Sequence, residues 1–305
     1  MTIPRISVLI ATADRPRLLA GCLESLSLSR FAGVEVLVLD QSQPHQMLPL
    51  ESKNGLVVRH LRCPRRGKSA ALNLGVREAR APWLAFTDDD CRAAADWLEV
   101  IDRFATKAGT QCALTGRVIA GIPEGEAVTA PSLRENDREA TYGSPGFRDV
   151  LFGNNMAIPM EPLSRAGGFD ERLGPGTAAP AAEDNDLGYR LLRAGISIRY
   201  LPAMVVTHRS WRSGPEQVGL YRGYGVGQGA FYGKHVRRGD LHMAARMARN
   251  VWDTGRDMSG AILLGRGQDV RASRAFAGGL VRGFVRAIWS WNGGRAGATT
   301  LPDEG

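Results

Sequence analysis

The chain has 305 residues, 44% of them hydrophobic and 23% charged, the composition of a globular protein with a sizeable core in one large domain or two modest ones. Four scattered cysteines with no CxxC pair argue against a zinc cluster or a disulfide framework and for a reducing cytosol, and no apolar run approaches a membrane span. The net charge of +8 points to anionic partners: nucleotide phosphates, nucleic acid or an anionic membrane surface.

Met1 to Arg5 lead straight into a strand pattern without a signal peptide, and there is no internal repeat. Ile6 to Ala11 form a short β-branched apolar run, the mark of a buried strand. Thr12-Ala13-Asp14-Arg15-Pro16 turns the chain. Pro16 suits the first turn of a helix whose apolar face carries Leu18, Leu19, Cys22, Leu23 and Leu26. Val34 to Asp40 and Leu56 to Leu61 predict two more strands. Gly67-Lys68-Ser69 opens a helix to Ala79, with Ser69 as the expected N-cap. Trp83 to Thr87 reads as a fourth strand and delivers Asp88-Asp89-Asp90; Trp97, Leu98, Val100, Ile101 and Phe104 mark the next helix. This order predicts an α/β fold with a largely parallel sheet.

A strand is expected over Ala113 to Ala120, then a long surface loop over residues 121–150 of the kind that forms lids or binding loops. Leu151 to Ile158 return to the core and Gly167 to Glu171 turn, while the Gly/Pro/Ala run from Gly174 to Ala182 is expected to be mobile. Glu183-Asp184-Asn185-Asp186 opens a helix ending at Gly195, a good left-handed terminator. Ile196 to Leu201 predict a strand, and Val205 to His208 follow it. From residue 230 on, twelve Lys/Arg stand against six Asp/Glu, which accounts for most of the net charge. Ser273 to Trp291 place Phe276, Leu280, Phe284, Ile288 and Trp291 on one face, with Arg274, Arg282 and Arg286 interspersed. That is a basic amphipathic helix, N-capped by Ser273, which either packs on the core or touches an anionic membrane.

Three acidic clusters stand at strand ends or helix starts: Asp40, the triplet Asp88-Asp89-Asp90, and Glu183-Asp184. Adjacent carboxylates repel, so the triplet calls for a compensating cation or a fully solvated turn. It follows a buried strand, and open α/β sheets bind ligands at such ends. Asp88 and Asp90 therefore suit a hard divalent cation that holds a phosphorylated substrate. The plainer reading is an acidic turn whose Asp residues cap a helix. Asp40 suits a ribose or base contact, and Glu183 or Asp184 a general base, with helix capping as the alternative for Asp184. His208 is either an ordinary core residue or a third metal ligand. Gly67-Lys68-Ser69 lacks the upstream glycine of a P-loop, since Arg62 stands there. No GxGxxG follows the first strand and no GxSxG is present, which disfavours dinucleotide-binding Rossmann enzymes and α/β-hydrolases.

In this order the pieces resemble family 2 glycosyltransferases with the GT-A fold. The resemblance rests on Ser7 to Thr12 with Asp14-Arg15-Pro16, Val36 to Ser42, Gly67 to Gly75, the DxD element Asp88-x-Asp90, Gly153 to Ala157, Gly167 to Glu171, and Glu183-Asp184. It covers about residues 5–210. It implies a Rossmann-like, mostly parallel sheet flanked by helices over residues 1–214, a basic helical extension over 215–296 and a disordered tail over 297–305. The implied activity is metal-dependent, inverting transfer from a nucleoside-diphosphate sugar, UDP-sugars favoured, to a hydroxyl of a glycan or lipid-linked acceptor.

Carried over residue by residue, the resemblance implies donor contacts from Thr12, Asp14, Arg15, Asp40, Gln41, Gly67, Lys68, Asn73, Asp88 and Asp89. Asp88, Asp90 and His208 are the implied ligands of Mn2+ or Mg2+, Asp184 the implied base with Glu183 as alternative, and Asn154 and Asn155 the acceptor side. Residues 121–150 and 174–182 are expected to frame the acceptor. Two positions depart from the family pattern: Gln41 stands where a second Asp is common, and Leu72 where an Arg is often found before Asn73. The competing readings are a nucleotidyltransferase and a non-catalytic glycan- or membrane-binding scaffold. No nucleic-acid module is recognised. The expected location is cytoplasmic, with a peripheral contact on the inner face of the plasma membrane.

Overall fold

The computed structural model describes residues 3–43, 56–108, 110–122, 131–209 and 211–291. In chain order the elements are β1 (Ile6–Thr12), α1 (Pro16–Ser27), β2 (Val34–Asp40), β3 (Val57–Arg62), α2 (Lys68–Glu78), β4 (Trp83–Asp88), β5 (Cys91–Ala93), α3 (Trp97–Ala108), β6 (Cys112–Ala120), β7 (Ala140–Tyr142), β8 (Asn155–Pro159), α4 (Met160–Arg165), α5 (Glu183–Arg193), β9 (Ser197–His208), α6 (Gly214–Val236), α7 (Leu241–Leu263) and α8 (Gly267–Ser290). One sheet runs in the order β3-β2-β1-β4-β8-β6-β9-β5, with β7 on β9.

Strand geometry explains why the sheet is buried on both faces. Successive side chains point to opposite sides, so an unbroken apolar run serves two layers at once. Ile6, Val8 and Ile10 of β1, with Val36 and Val38 of β2, pack in one cluster with Leu19, Cys22, Trp97 and Ile101 from α1 and α3. Leu9, Leu37, Leu39 and Phe86 join the other, with Leu72, Leu163, Leu187 and Leu191 from α2, α4 and α5. Each fully buried Leu or Ile contributes on the order of 1.5–3 kcal/mol relative to exposure. All four cysteines are free and buried.

Several expectations are corrected by contacts distant in sequence. Parallel pairing holds across β3-β2-β1-β4 and between β6 and β9. β8, however, enters antiparallel between β4 and β6, so the sheet is mixed. The two apolar stretches ending at His208 are one strand, with a register shift opposite Gly116 and Arg117. Within the expected surface loop, Arg134 exchanges two backbone hydrogen bonds with Val118, each 2.9 Å, and β7 pairs with β9; residues 123–130 lie outside the described residues. Ser69 does not cap α2: Gly67 occupies the cap at φ 117°, and Ser69 Oγ donates to the Leu173 carbonyl at 2.7 Å. Nor does Ser273 start a helix, since α8 begins at Gly267. The run expected to be mobile is a closed turn. Gly174 N donates to Ala179 O at 2.9 Å, and Thr177 Oγ1 donates to the carbonyls of Gly174 and Ala179.

The C-terminal helices share the core. Ala182 and Tyr189 pack with Phe231, Tyr232, Met243 and Leu280. α6 and α8 approach so closely that a Cβ on Gly225 or Gly229 would lie 2.1 Å from Phe276 O or 2.0 Å from Leu280 O. Gly279 and Gly283 of α8 meet Arg222 O and Val226 O of α6 in the same way. Only residues without a side chain permit this backbone contact. The face of α8 bearing Leu280 is thus spent on α6, and Phe276 and Phe284 pack there too.

A buried ion network completes the junction. Lys234 Nζ, 3% exposed, lies 2.8 Å from Asp170 Oδ2 and 2.7 Å from Asp186 Oδ1. His235 Nε2 and Arg190 Nε each lie 2.8 Å from an Asp186 oxygen. Burial alone would raise the Asp186 pKa, but Arg190, Lys234 and His235 hold it well below the usual carboxylate range. Lys234→Met leaves Asp170 with one cation fewer in a buried setting and should cost about 3–5 kcal/mol, the scale for breaking a buried ion pair. Urea unfolding followed by circular dichroism measures it, with the exposed pair residue Arg256→Met as a control expected to cost no more than about 1 kcal/mol.

Candidate active site

β1 and β4 are parallel neighbours, so both deliver their C-terminal ends to the same edge of the sheet. Between those ends lies a cleft of about 220 Å3. Its walls are Ala11, Thr12, Ala13, Arg15, Gln41, Arg66, Gly67, Lys68, the Asp triplet, Pro175 and Gly176. The closed turn after Leu173 therefore faces the cleft, and the backbone N–H of Lys68 fixes it there by donating to Pro175 O at 2.9 Å.

Each carboxylate of the triplet has its own neutralising partner. Lys68 Nζ stands 2.5 Å from Asp88 Oδ1. Arg15 Nη1 stands 3.3 Å from both Asp89 and Asp90, and Thr12 Oγ1 donates to Asp89 at 2.8 Å. His208 Nε2 lies 3.4 Å from Asp90 Oδ1. Burial and the charge of Asp90 push Asp89 up to about 6, against the pull of Arg15. Burial would raise Asp90 as well, but the hydrogen bond and charge of His208, with Arg15 and Lys68, hold it below its ordinary value. The same contact raises His208, although burial opposes it.

The acid pair enters from α5. Ala182 takes a left-handed conformation at φ 71°, which turns the chain into the helix and presents Glu183 and Asp184 in the first turn. Lys68 Nζ, already on Asp88, lies 3.6 Å from Glu183 Oε1. One ammonium thus links the triplet to the acid pair. Asp184 accepts from the Gly153 amide and from its neighbour Asn185 N, each at 2.8 Å. Burial and the charge of Glu183 push Asp184 up to about 7, with Gly153 and Lys68 opposing.

Residues 7–158 match the glycosyl transferase family 2 model. The chain belongs to this family. The pre-mycofactocin glycosyltransferase of Mycobacterium tuberculosis is 29% identical over 150 residues, which is 47% of this chain but only 30% of that relative's length. Among solved structures, a mannosyltransferase from Pyrobaculum calidifontis in complex with GDP-Man and Mn2+ aligns over 95% of this chain and 88% of that one, at 17% identity and a TM-score of 0.59. GalNAc-T7 with UDP, GalNAc and Mn2+ aligns over 79% and 53%, at 19% identity and a TM-score of 0.53. These likenesses establish the fold as GT-A.

Not every expected site residue of this family 2 chain reaches the cleft. Asp14, at φ 57°, accepts from Gln43 N at 3.0 Å and receives no place on the cleft wall. Asp40 is buried under His60 Nε2 at 3.0 Å and Ser42 N at 2.8 Å. Asn73 clamps the Gly167–Glu171 turn, donating to Phe169 O and Glu171 Oε1 and accepting from Phe169 N. Asn155, expected on the acceptor side, is a core residue. Its amide plugs the β9 bulge by donating to Arg117 O and Met204 O at 2.8 Å, and Trp97 Nε1 donates to it at 2.9 Å. Asn154 is buried, with Nδ2 3.5 Å from Ser132 O. Gln41 does line the cleft, but its Nε2 is committed to the carbonyls of Arg65 and Gly67.

Sequence reading missed the role of α6. Asn185 donates to Gln228 Oε1 at 2.9 Å, and the Tyr224 hydroxyl lies 3.0 Å from Ser132 Oγ. Burial raises the Tyr224 phenol, and the charge of Asp184 adds to the shift. The glycine spacing Gly225, Gly229, Gly233 was the available signal that α6 packs tightly.

The donor set fits a hard or borderline divalent cation. Ligand atoms of Asp90, Cys91 and His208 all lie within 4.8 Å of one another. Burial raises the Cys91 thiol well above its ordinary value, so it remains protonated and ligates poorly. That leaves carboxylate oxygens and an imidazole nitrogen, donors suited to Mn2+ or Mg2+. His208 Nδ1 sits 3.0 Å from Pro131 O, and a carbonyl only accepts. Nδ1 therefore carries a proton, and Nε2, which faces Asp90, would have to give up its own proton to ligate a cation. In a Mn2+ titration read by electron paramagnetic resonance, Asp90→Asn and His208→Ala should each weaken binding by at least about 10-fold. Asp14→Asn, outside the cleft, should leave it unchanged.

Proposed function

We propose that this chain is an inverting glycosyltransferase, dependent on a divalent cation. It transfers a sugar from a nucleoside-diphosphate sugar, UDP-sugars favoured, to a hydroxyl of a glycan or lipid-linked acceptor. The observation that carries the reading is the meeting of two acidic groups through Lys68 of the cleft wall, 2.5 Å from Asp88 and 3.6 Å from Glu183. A donor half and an acceptor half must be this close for a single displacement at the anomeric carbon. The family match supports the reaction class, and relatives of this fold bind GDP-Man or UDP.

In this reading Arg15 and Lys68 face the diphosphate, and Asp88, Asp90 and His208 hold the cation. The cation, when bound, neutralises charge developing on the departing diphosphate. Asp184 takes the proton from the acceptor hydroxyl as the bond to the anomeric carbon forms. Its raised pKa, about 7, makes it a stronger base than an exposed Asp and leaves about half of it ionised at neutral pH. Glu183 stays bridged to Lys68 beside it.

The test is the purified chain with a panel of UDP-, GDP- and other nucleotide sugars, Mn2+ or Mg2+, and candidate acceptors, read by released nucleoside diphosphate. Pyrophosphate release from a nucleoside triphosphate and a sugar phosphate supports the nucleotidyltransferase instead, and binding without turnover supports a scaffold. Asp184→Asn should lower kcat by about 10²–10⁴-fold and leave nucleotide affinity within about twofold. A base must be ionised to act, so activity should rise with pH through a limb near 7, the value to which Asp184 is raised.

A further inference from the structure

The α7–α8 hairpin carries a surface that the glycosyl-transfer reading does not use. Fourteen large hydrophobic side chains are exposed among the described residues, and nine of them fall between Leu241 and Trp289. On α7, Met243, Arg246 and Ala261 face inward, while Leu241, Trp252 and Leu263 stand 82%, 72% and 87% exposed. The hairpin tip continues this edge with Ile262 and Leu264. On α8, Ala272, Gly279, Leu280, Gly283 and Ala287 face inward. The opposite face presents Arg271, Arg274, Val281, Arg282, Val285 and Trp289 to solvent. Isolated exposed hydrophobics are ordinary, but a concentration of them on one hairpin is an interaction surface.

Charge selects the partner. Residues 241–290 hold eight arginines against three aspartates. Asp253 and Asp257 already pair with Arg249 and Arg256. Arg266, Arg271, Arg274, Arg282 and Arg286 are exposed, and no ion pair is recorded for them among the described residues. A second copy of the chain would bring these arginines against their own images, a repulsive contact. An anionic lipid surface neutralises them and accepts the tryptophans at the headgroup level. No helix among the described residues is long and apolar enough to cross a membrane.

We propose that the outward face of the α7–α8 hairpin docks on an anionic phospholipid surface, with arginines at the headgroups and Trp252 and Trp289 inserted beside them. The face used is the one α8 leaves free, since its Leu280 side is buried against α6. The proposal is independent of the donor chemistry.

Co-sedimentation of the full chain with phosphatidylglycerol vesicles tests it, with phosphatidylcholine vesicles alongside. Binding is expected to the former only and to weaken with salt. Arg274→Gln and Arg282→Gln should each reduce it by about fivefold, and brominated phosphatidylglycerol should quench tryptophan fluorescence unless Trp252 and Trp289 are both replaced by Phe. These side chains are exposed, so the variants should keep the parent circular dichroism and nucleotide affinity. Binding to neither vesicle, equal binding to both, or a lipid-free dimer that the Arg→Gln variants strengthen would each overturn the proposal.

Discussion

Five carboxylates share one end of this molecule, and their mutual repulsion is the constraint on which the site depends. Asp88, Asp89, Asp90, Glu183 and Asp184 are neutralised by three side chains only among the described contacts: Lys68, Arg15 and His208. The distribution is uneven, and the unevenness assigns roles. Lys68 pairs with Asp88 and Glu183, and His208, with Arg15 and Lys68, holds Asp90 below its ordinary value. Asp184, with a full lysine contact denied it, is pushed toward neutrality by burial and by Glu183. Environments that drive neighbouring carboxylates apart in pKa are how one fold runs acid and base chemistry together.

Lys68 is positioned by backbone as much as by charge. Gly67 supplies the left-handed cap before it, its own amide ties the Pro175 turn over the cleft, and Ser69 anchors Leu173 from the next position. Three consecutive residues therefore join the start of α2 to the segment leading into α5. The same logic recurs at Asp186, two residues after Asp184, where Lys234 and His235 reach in from α6. The C-terminal helices in this sense brace the first turn of α5, which carries the acid pair. Their glycine seam brings α8 onto α6, and α6 brings Gln228 to Asn185 and Tyr224 to Ser132.

Local patterns made much of this legible. Apolar-rich runs located β1, β2 and β4, because a strand covered on both faces leaves few polar positions, and the two in the interior of β1 and β2, Ser7 and Glu35, bond each other. Gly195 marked the end of α5 because its φ of 77° is one that other residues avoid. The glycosyl transferase family 2 resemblance, carried by motifs in order, pointed to the cleft residues Thr12, Arg15, Gln41, Lys68 and the Asp triplet. It was less informative about Asp14, Asp40, Asn73 and Asn155. A short polar side chain near a motif looks the same whether it meets a ligand or a backbone carbonyl. Asn155 illustrates this: its amide is consumed by a bulge formed between β6 and β9, distant segments whose meeting no local pattern announces.

By itself the sequence determined β1 to β4 and β6, the helices α1, α2, α3 and α5, and the three acidic clusters, since these follow from periodicity and from the cost of burying unpaired polar groups. Only the tertiary structure decided which acids share a cationic side chain, which way β8 runs, and that the Gly174–Ala182 run is a closed turn on the cleft wall. It also decided that α8 spends its Leu280 face on α6 and leaves its arginines outside. The physical reason is common to all four. Neutralisation, strand pairing and close packing depend on distances between segments far apart in the chain, and local composition carries no record of those distances.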